Sequence, residues 1–281
     1  MTRWRLLPFT TLPAPENMAI DEAVFLGCRR EASAPALRFY GWQTPAVSVG
    51  RFQDIQSEID LEACRRLSVP VVRRPTGGKA VFHDGDLTYA LAAGGRRHGF
   101  PPDILGTYRM IGRCLSEGLA EVGIRAHMAA EGRSREDLSA PASCFALPSR
   151  YELLVDGRKI CGSAQVRSQG IFLQQGSLLT GFDARRTCEL MTPHHADRED
   201  RIARLRESVT TIGDRLDAVP DIGELCRVLR KGFETVLGIR LEEDRLTRDE
   251  EDMKARLQER KYGNADWTLY GKEAPPPSPD D

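Results

Sequence analysis

The sequence predicts an α/β protein of the α+β kind: a mixed, largely antiparallel sheet packed by helices. Three observations carry this. Strand-like and helix-like patterns interleave along the 281 residues. Several neighbouring strand patterns are joined by turns too short for a crossover helix, which argues against a doubly wound parallel sheet. One of these turns is Asp156-Gly157 between two apolar runs, a strong hairpin signal. No repeat and no linker interrupts the pattern before the end. Residues 1–272 therefore read as one domain with a helical C-terminal section. Residues 273–281, with four prolines and two terminal aspartates, read as a disordered tail.

The elements follow in order. Arg3 to Phe9 reads as a strand. Asn17 to about Arg30 reads as a helix opened by Glu16 and Asn17 after a proline. Leu37–Trp42 and Ala46–Gly50 read as strands on either side of a Thr-Pro turn. Ser57–Leu67 reads as a helix. Val69–Arg74, Ala80–His83 and Leu87–Ala92 read as a meander. Ile104–Val122 has the apolar spacing of a long amphipathic helix. Glu131–Ser149 mixes Gly, Ser, Pro and both charges without periodicity and reads as a loop. Tyr151–Val155 and a strand from Lys159 onward flank the Asp-Gly turn, and Gly170–Leu179 gives another strand. Thr187–Met191, Arg198–Glu207, Gly223–Leu237 and Asp249–Lys261 read as helices.

Composition excludes several functions. Hydrophobic residues make up 41% and charged residues 29%, as in an ordinary globular protein. Forty basic and 41 acidic residues leave a net charge of −1, which argues against a nucleic-acid partner. No apolar run approaches the roughly 20 residues a membrane span needs. The N-terminus is too short in its apolar part for a secretory signal, so a cytoplasmic location is expected. Seven cysteines without a CxxC pair fit neither a metal site nor a disulfide framework. Cys28, Cys64, Cys114 and Cys226 fall on apolar helix faces, and Cys161 lies inside an alternating strand; all read as core. Cys144 fits no such pattern. The adjacent His194 and His195 lack a third ligand and read as loop residues.

The segment Arg73-Arg74-Pro75-Thr76-Gly77-Gly78-Lys79-Ala80-Val81-Phe82-His83-Asp84 is the most informative. Two adjacent glycines let backbone approach a ligand closely and leave N–H groups free to donate. Arg and Lys flank the turn and suit an acidic or phosphate-bearing guest. Taken alone, the pattern fits an ordinary hairpin equally well. Alternation along a strand puts one of Arg73 and Arg74 on an exposed face.

Five segments in order carry a resemblance. They are Asn17-Met18-Ala19-Ile20-Asp21-Glu22; Leu37–Trp42 with Pro45, Ser48, Gly50 and Gln53; Arg73–Asp84 running into Leu87-Thr88-Tyr89; Gly157–Gln165; and Leu173–Leu179. Together they resemble the catalytic domain of the biotin/lipoate protein ligases, in its lipoate-protein ligase A branch. The likeness spans about residues 15 to 180, with an echo at Tyr262–Trp267. It implies that fold, and attachment of octanoyl or lipoyl groups to a lysine of a lipoyl domain.

The family uses two chemistries: ATP-dependent ligation through an acyl-adenylate, and octanoyl transfer from acyl carrier protein through a cysteine thioester. The stretch Cys144-Phe145-Ala146-Leu147-Pro148-Ser149-Arg150-Tyr151-Glu152 resembles the transferase type. That resemblance implies Cys144 as nucleophile and Lys159 as its partner, with no cofactor. It implies substrate contacts at Arg73, Gly77, Gly78, Lys79, His83, Gly162, Ser163 and Ala164. Arg73 and Lys79 would face acidic carrier surfaces or a pantetheine phosphate. Implied partners are octanoyl-acyl carrier protein and lipoyl domains, such as the glycine cleavage H protein or E2 subunits of 2-oxoacid dehydrogenases. The alternatives are an ATP- and Mg-dependent lipoate–protein ligase, an octanoyl amidotransferase between lipoyl domains, and a non-catalytic acyl-carrier binder. The sequence departs from the family at Gln175, where many members have His; Gln can hydrogen-bond but cannot shuttle a proton near neutral pH.

Overall fold

The computed structural model describes residues 2–30, 33–129, 152–191 and 197–273. Two sheets organise them. The larger has eight strands in the order β11 (Ile239–Glu243), β1 (Thr2–Leu12), β2 (Ala36–Trp42), β6 (Asp86–Gly94), β10 (Ile171–Leu179), β9 (Arg158–Ser168), β8 (Leu153–Val155) and β7 (His127–Met128). Only β1 with β11 and β1 with β2 pair in parallel. The other five pairings are antiparallel. The smaller sheet sets β3 (Ala46–Val49) between β4 (Val71–Arg73) and β5 (Val81–His83).

Period-two alternation along the central strands feeds two cores. Leu37 and Phe39 of β2, Leu91 of β6 and Phe172 of β10 face one side. There they meet Ile111 of α4 (Ile104–Ala120) and Phe233 of α7 (Ile222–Leu237). Tyr40, Ala90, Ala92 and Leu173 face the other side, against Met18 and Phe25 of α1 (Ala14–Arg29). The helices start where the sequence supplies caps. Asp103 accepts from the Gly106 N–H, Asp221 from Glu224, and Thr247 forms a capping box with Glu250 ahead of α8 (Arg248–Leu257).

Two expectations are corrected. The segment 69–92 is not a meander. β4 and β5 both pair with β3 instead of with each other, and β6 joins the other sheet. β6 is buried on both faces, which suits a central strand of the large sheet. Gly85, at φ 78°, takes the chain from one sheet to the other in a conformation that favours glycine. The helix expected over Ser57–Leu67 is two short ones, α2 (Ile55–Glu58) and α3 (Leu61–Arg66). Ile59 between them is extended, and Asp60 caps the second by accepting from Ala63 N–H at 2.8 Å.

After β10 come α5 (Ala184–Met191) and α6 (Arg198–Ser208). After α8, a π-helical turn over Gln258–Tyr262 leads into α9 (Ala265–Tyr270). Among the described residues, no helix is long and apolar enough to cross a membrane. The expected loop over 131–149, the His194-His195 pair and the tail beyond Glu273 lie outside the described residues.

Candidate active site

The site begins at the β8–β9 hairpin. Asp156 and Gly157 turn it with φ 49° and 76°, as the Asp-Gly signal requires. The register then slips. Leu154 stands opposite Lys159, but Leu153 stands opposite Cys161, so Ile160 is an extra residue. Ile160 and Cys161 both face the same core. A bulge of this kind resets the alternation. It brings Lys159 and Gly162 to the same side, although regular spacing would part them. The Lys159 ammonium donates to the Glu152 carboxylate at 2.6 Å, with side-chain exposures of only 13% and 10%. A Cβ built on Gly162 would lie 2.8 Å from Lys159 Cε and 2.9 Å from Nζ. Gly162 is thus the bed on which the lysine head rests.

The glycine turn packs onto the same strand two residues further on. A Cβ at Gly78 would touch the Ala164 methyl at 3.5 Å, and Ala164 shares a face with Gly162. The Arg74 guanidinium is folded into the turn. It donates to the carbonyls of Gly77 at 2.6 Å and Lys79 at 2.8 Å, and to Thr76 Oγ1 at 3.2 Å. With those carbonyls drawn inward, the N–H groups of Gly77, Gly78 and Lys79 make no bond within the described residues. Gly78 has φ 85°, and Gly50 lies so close that a Cβ there would sit 2.0 Å from the Gly78 carbonyl oxygen. Lys79 is exposed. The site is therefore a half-buried strip of β9, Gly162 to Ser168, with an ammonium at one end and a turn bearing open N–H groups beside it.

Other expected residues have different surroundings. Arg73 and Arg74 are both buried, at 2% and 6% exposure, so the expectation that one faces solvent is corrected. Arg73 does not face an outside surface. Its guanidinium donates to the carbonyls of Gly50, Arg51, Gln53, Trp267, Thr268 and Leu269 at 2.9–3.1 Å. It fastens the loop behind the glycine turn to α9. His83 is buried between Ser48 and Asp86. Ser163 points to the opposite side from Gly162, where its hydroxyl meets Tyr89 OH at 2.8 Å. Gln175 accepts from the Thr76 hydroxyl at 2.8 Å and donates to Asp21 Oδ2 at 2.7 Å, which ties the turn to α1. An amide can both accept and donate there.

Cys144 lies outside the described residues. Cys161, the cysteine nearest Lys159 in sequence, is 1% exposed. Burial pushes its thiol up to about 12 despite the Lys159 charge, which removes it as a nucleophile at neutral pH. Among the described residues, no three His, Cys, Asp or Glu side chains gather as a metal would need. Sequence reasoning gave Glu152 no role. Its signal was present: Glu152 is two residues before Leu154, which pairs with Lys159.

A family model described as the lipoyl protein ligase A/B catalytic domain matches residues 13–234. The chain is 41% identical over 274 residues to the octanoyltransferase LipM of Symbiobacterium thermophilum, covering 95% of this chain and 98% of that one. It is 35% identical over 269 residues to the octanoyltransferase LipM of Bacillus subtilis, covering 94% and 97%. Among solved structures, a lipoate-protein ligase A bound with ATP superposes with a TM-score of 0.78 at 26% identity, covering 96% of this chain and 99% of that one. A bipartite ligase from Thermoplasma acidophilum, solved in a study of that ligase and its E2 lipoyl domain, superposes at 0.79 with 26% identity, covering 96% and 97%.

Proposed function

Because the chain belongs to the lipoyl protein ligase A/B catalytic-domain family, we propose that it is an octanoyltransferase of lipoate biosynthesis. In this reading it moves octanoyl from octanoyl-acyl carrier protein to a lysine of a lipoyl domain, through a thioester on Cys144. The reading takes residues 1–272 as one catalytic domain and places it in the cytoplasm. Near-full-length likeness to octanoyltransferases supports it. On the chain itself, the carrying observation is the Lys159 ammonium on the face of β9 that also receives the glycine turn.

A free thiol has a pKa of about 8.5, so only about a tenth is thiolate near pH 7.5. An adjacent ammonium favours the ionised form, and a downward shift of about one to two units would make thiolate comparable or dominant. Lys159 fills that role, held in place by Glu152. The Cys144 thiolate attacks the donor thioester carbonyl; a C–S bond forms, the carrier C–S bond breaks, and the carrier thiolate takes up a proton. One thioester replaces another, so no nucleotide is needed. The neutral amine of the acceptor lysine then attacks the Cys144 thioester. A C–N bond forms, the C–S bond breaks, the amine loses a proton, and the thiolate is restored. The amide lies downhill from the thioester, which draws the sequence forward. The open N–H groups at Gly77–Lys79 are donors for the carbonyl oxygen as its charge develops. Burying about six methylenes of the octanoyl chain adds about 5 kcal/mol of binding.

The ATP-dependent ligase reading is favoured by one observation, the likeness to a solved ligase bound with ATP. An ATP-free assay separates the two. Octanoyl-acyl carrier protein and a lipoyl domain are mixed with the enzyme, and the acceptor is weighed by mass spectrometry. Octanoyl transfer without ATP is expected. Transfer only from free acid plus ATP would replace the transferase reading with the ligase one.

A further inference from the structure

We propose that Ser48, His83 and Asp86 form a buried one-way hydrogen-bond relay that positions Arg74 and, through it, the glycine turn. Their importance for acyl transfer rests on the reading above, in which that turn belongs to the acyl site. The spacing is that of a nucleophilic triad. Ser48 Oγ is 2.8 Å from His83 Nε2, and His83 Nδ1 is 2.9 Å from Asp86 Oδ2. The surroundings rule out attack by the serine. Ser48 is 2% exposed and His83 4%. The Trp42 indole stacks on the imidazole with ring centres 3.9 Å apart. The serine oxygen also faces Arg74 Nη1 at 3.2 Å. A hydroxyl buried and engaged on two sides has no path to a substrate carbonyl.

The donors dictate a direction. A guanidinium only donates, so Ser48 Oγ accepts from Arg74. The serine proton then needs an acceptor, and His83 Nε2 is placed to be it. The ring proton therefore sits on Nδ1 and is given to Asp86. Asp86 Oδ2 also accepts from the hydroxyls of Thr88 at 3.0 Å and Ser177 at 2.6 Å. Asp86 belongs to the large sheet, while His83 and Ser48 belong to the small one. The relay thus pins the small sheet to the large one where the turn leaves it. Its far end is Arg74, whose remaining donors hold the carbonyls of Ser48, Gly77 and Lys79. These three are positioning residues: they fix the direction of the turn N–H groups without touching the reacting atoms.

The test has two independent readouts. Protein labelled with ¹⁵N-histidine is observed near pH 7 in a long-range ¹H–¹⁵N spectrum, with His83 assigned through His83→Gln. A neutral ring protonated on Nδ1 and bare on Nε2 is expected. A ring protonated on Nε2 would overturn the relay, whether or not the protein transfers octanoyl groups. The second readout compares octanoyl loading with the pH profile of Cys144 alkylation in Ser48→Ala and Asp86→Asn. Loading should fall about ten- to hundredfold, as for reacting groups misplaced by an ångström. The alkylation profile should stay unchanged, because Lys159 sits on another element. Loading at the wild-type rate in both variants, or an alkylation profile that moves with loading, would overturn the proposal. If the wild type itself takes no octanoyl group, the transferase reading fails, while the ring spectrum still decides the relay.

Discussion

Gly162→Ala should separate folding from chemistry at this site. The added methyl would stand 2.8 Å from Lys159 Cε and 2.9 Å from Nζ. Ordinary contacts between such atoms begin near 3.5 Å, so the overlap is about 0.6–0.7 Å. Both atoms lie at the end of a flexible chain, so the lysine swings aside and the backbone stays put. A displacement of about 1 Å stretches the 2.6 Å bond to Glu152 beyond hydrogen-bonding range. A hydrogen bond between charged groups contributes about 1.5–3 kcal/mol. The displaced ammonium recovers part of this from water, so stability should fall by about 1 kcal/mol. The chemical loss is a separate quantity. If Lys159 lowers the Cys144 pKa by about 1–2 units, full removal of that effect would cut the thiolate fraction at pH 7 roughly tenfold, so the displaced ammonium should lower it by up to about that factor. Chemical denaturation reads the first quantity, and the rate of iodoacetamide alkylation at Cys144 reads the second. A wild-type alkylation rate at pH 7 in a folded Gly162→Ala protein would refute the placement of Lys159 over Gly162 as functional.

Gly50→Ala should behave in the opposite way, because its methyl meets the Gly78 backbone carbonyl at 2.0 Å; denaturation should show a loss of about 1–3 kcal/mol together with loss of octanoyl loading. Arg73→Lys offers at most three donors where six carbonyls now accept; a destabilisation of about 2–4 kcal/mol is expected at roughly 1 kcal/mol per hydrogen bond lost, and an unchanged denaturation midpoint would contradict the fastening role. Glu250 supplies the acid limb. Burial pushes its carboxyl up, but the Arg5 guanidinium at 2.7 and 2.8 Å and the Thr247 N–H outweigh burial and hold it below the usual carboxylate range. A folded pKa below the unfolded value of about 4.3 gives stability that is full above that pH and drains as pH falls through the folded value. The stability gap between wild type and Glu250→Gln should therefore shrink below about pH 4; a gap constant down to pH 2 would contradict it.

Much of this was legible in the sequence because it depends on local rules. Asp156-Gly157 dictated a hairpin whose backbone angles are those of its turn type. Leu37–Trp42 and Gly170–Leu179 were legible as strands, and they form β2 and β10. What escaped depends on contacts distant in sequence. The bulge at Ile160 leaves no mark in composition, yet it decides that Lys159 lies over Gly162. One of Arg73 and Arg74 was expected to face solvent because strand alternation ignores the 194 residues that separate Arg73 from Trp267, whose carbonyl it binds. The meander failed for a similar reason. Three-residue strands such as β4 and β5 carry too little pattern to name their partner, and the burial of β6 on both faces settled where it went. The β11 strand and α9 were missed because each is only five or six residues long.

The central claim is that Cys144 carries the octanoyl group. The most direct measurement is the intact mass of the protein after mixing with octanoyl-acyl carrier protein in the absence of ATP. The account predicts one octanoyl adduct on the wild type, located on the peptide containing Cys144 and missing from Cys144→Ala. Octanoyl transfer to a lipoyl domain that demands ATP and survives Cys144→Ala would contradict it.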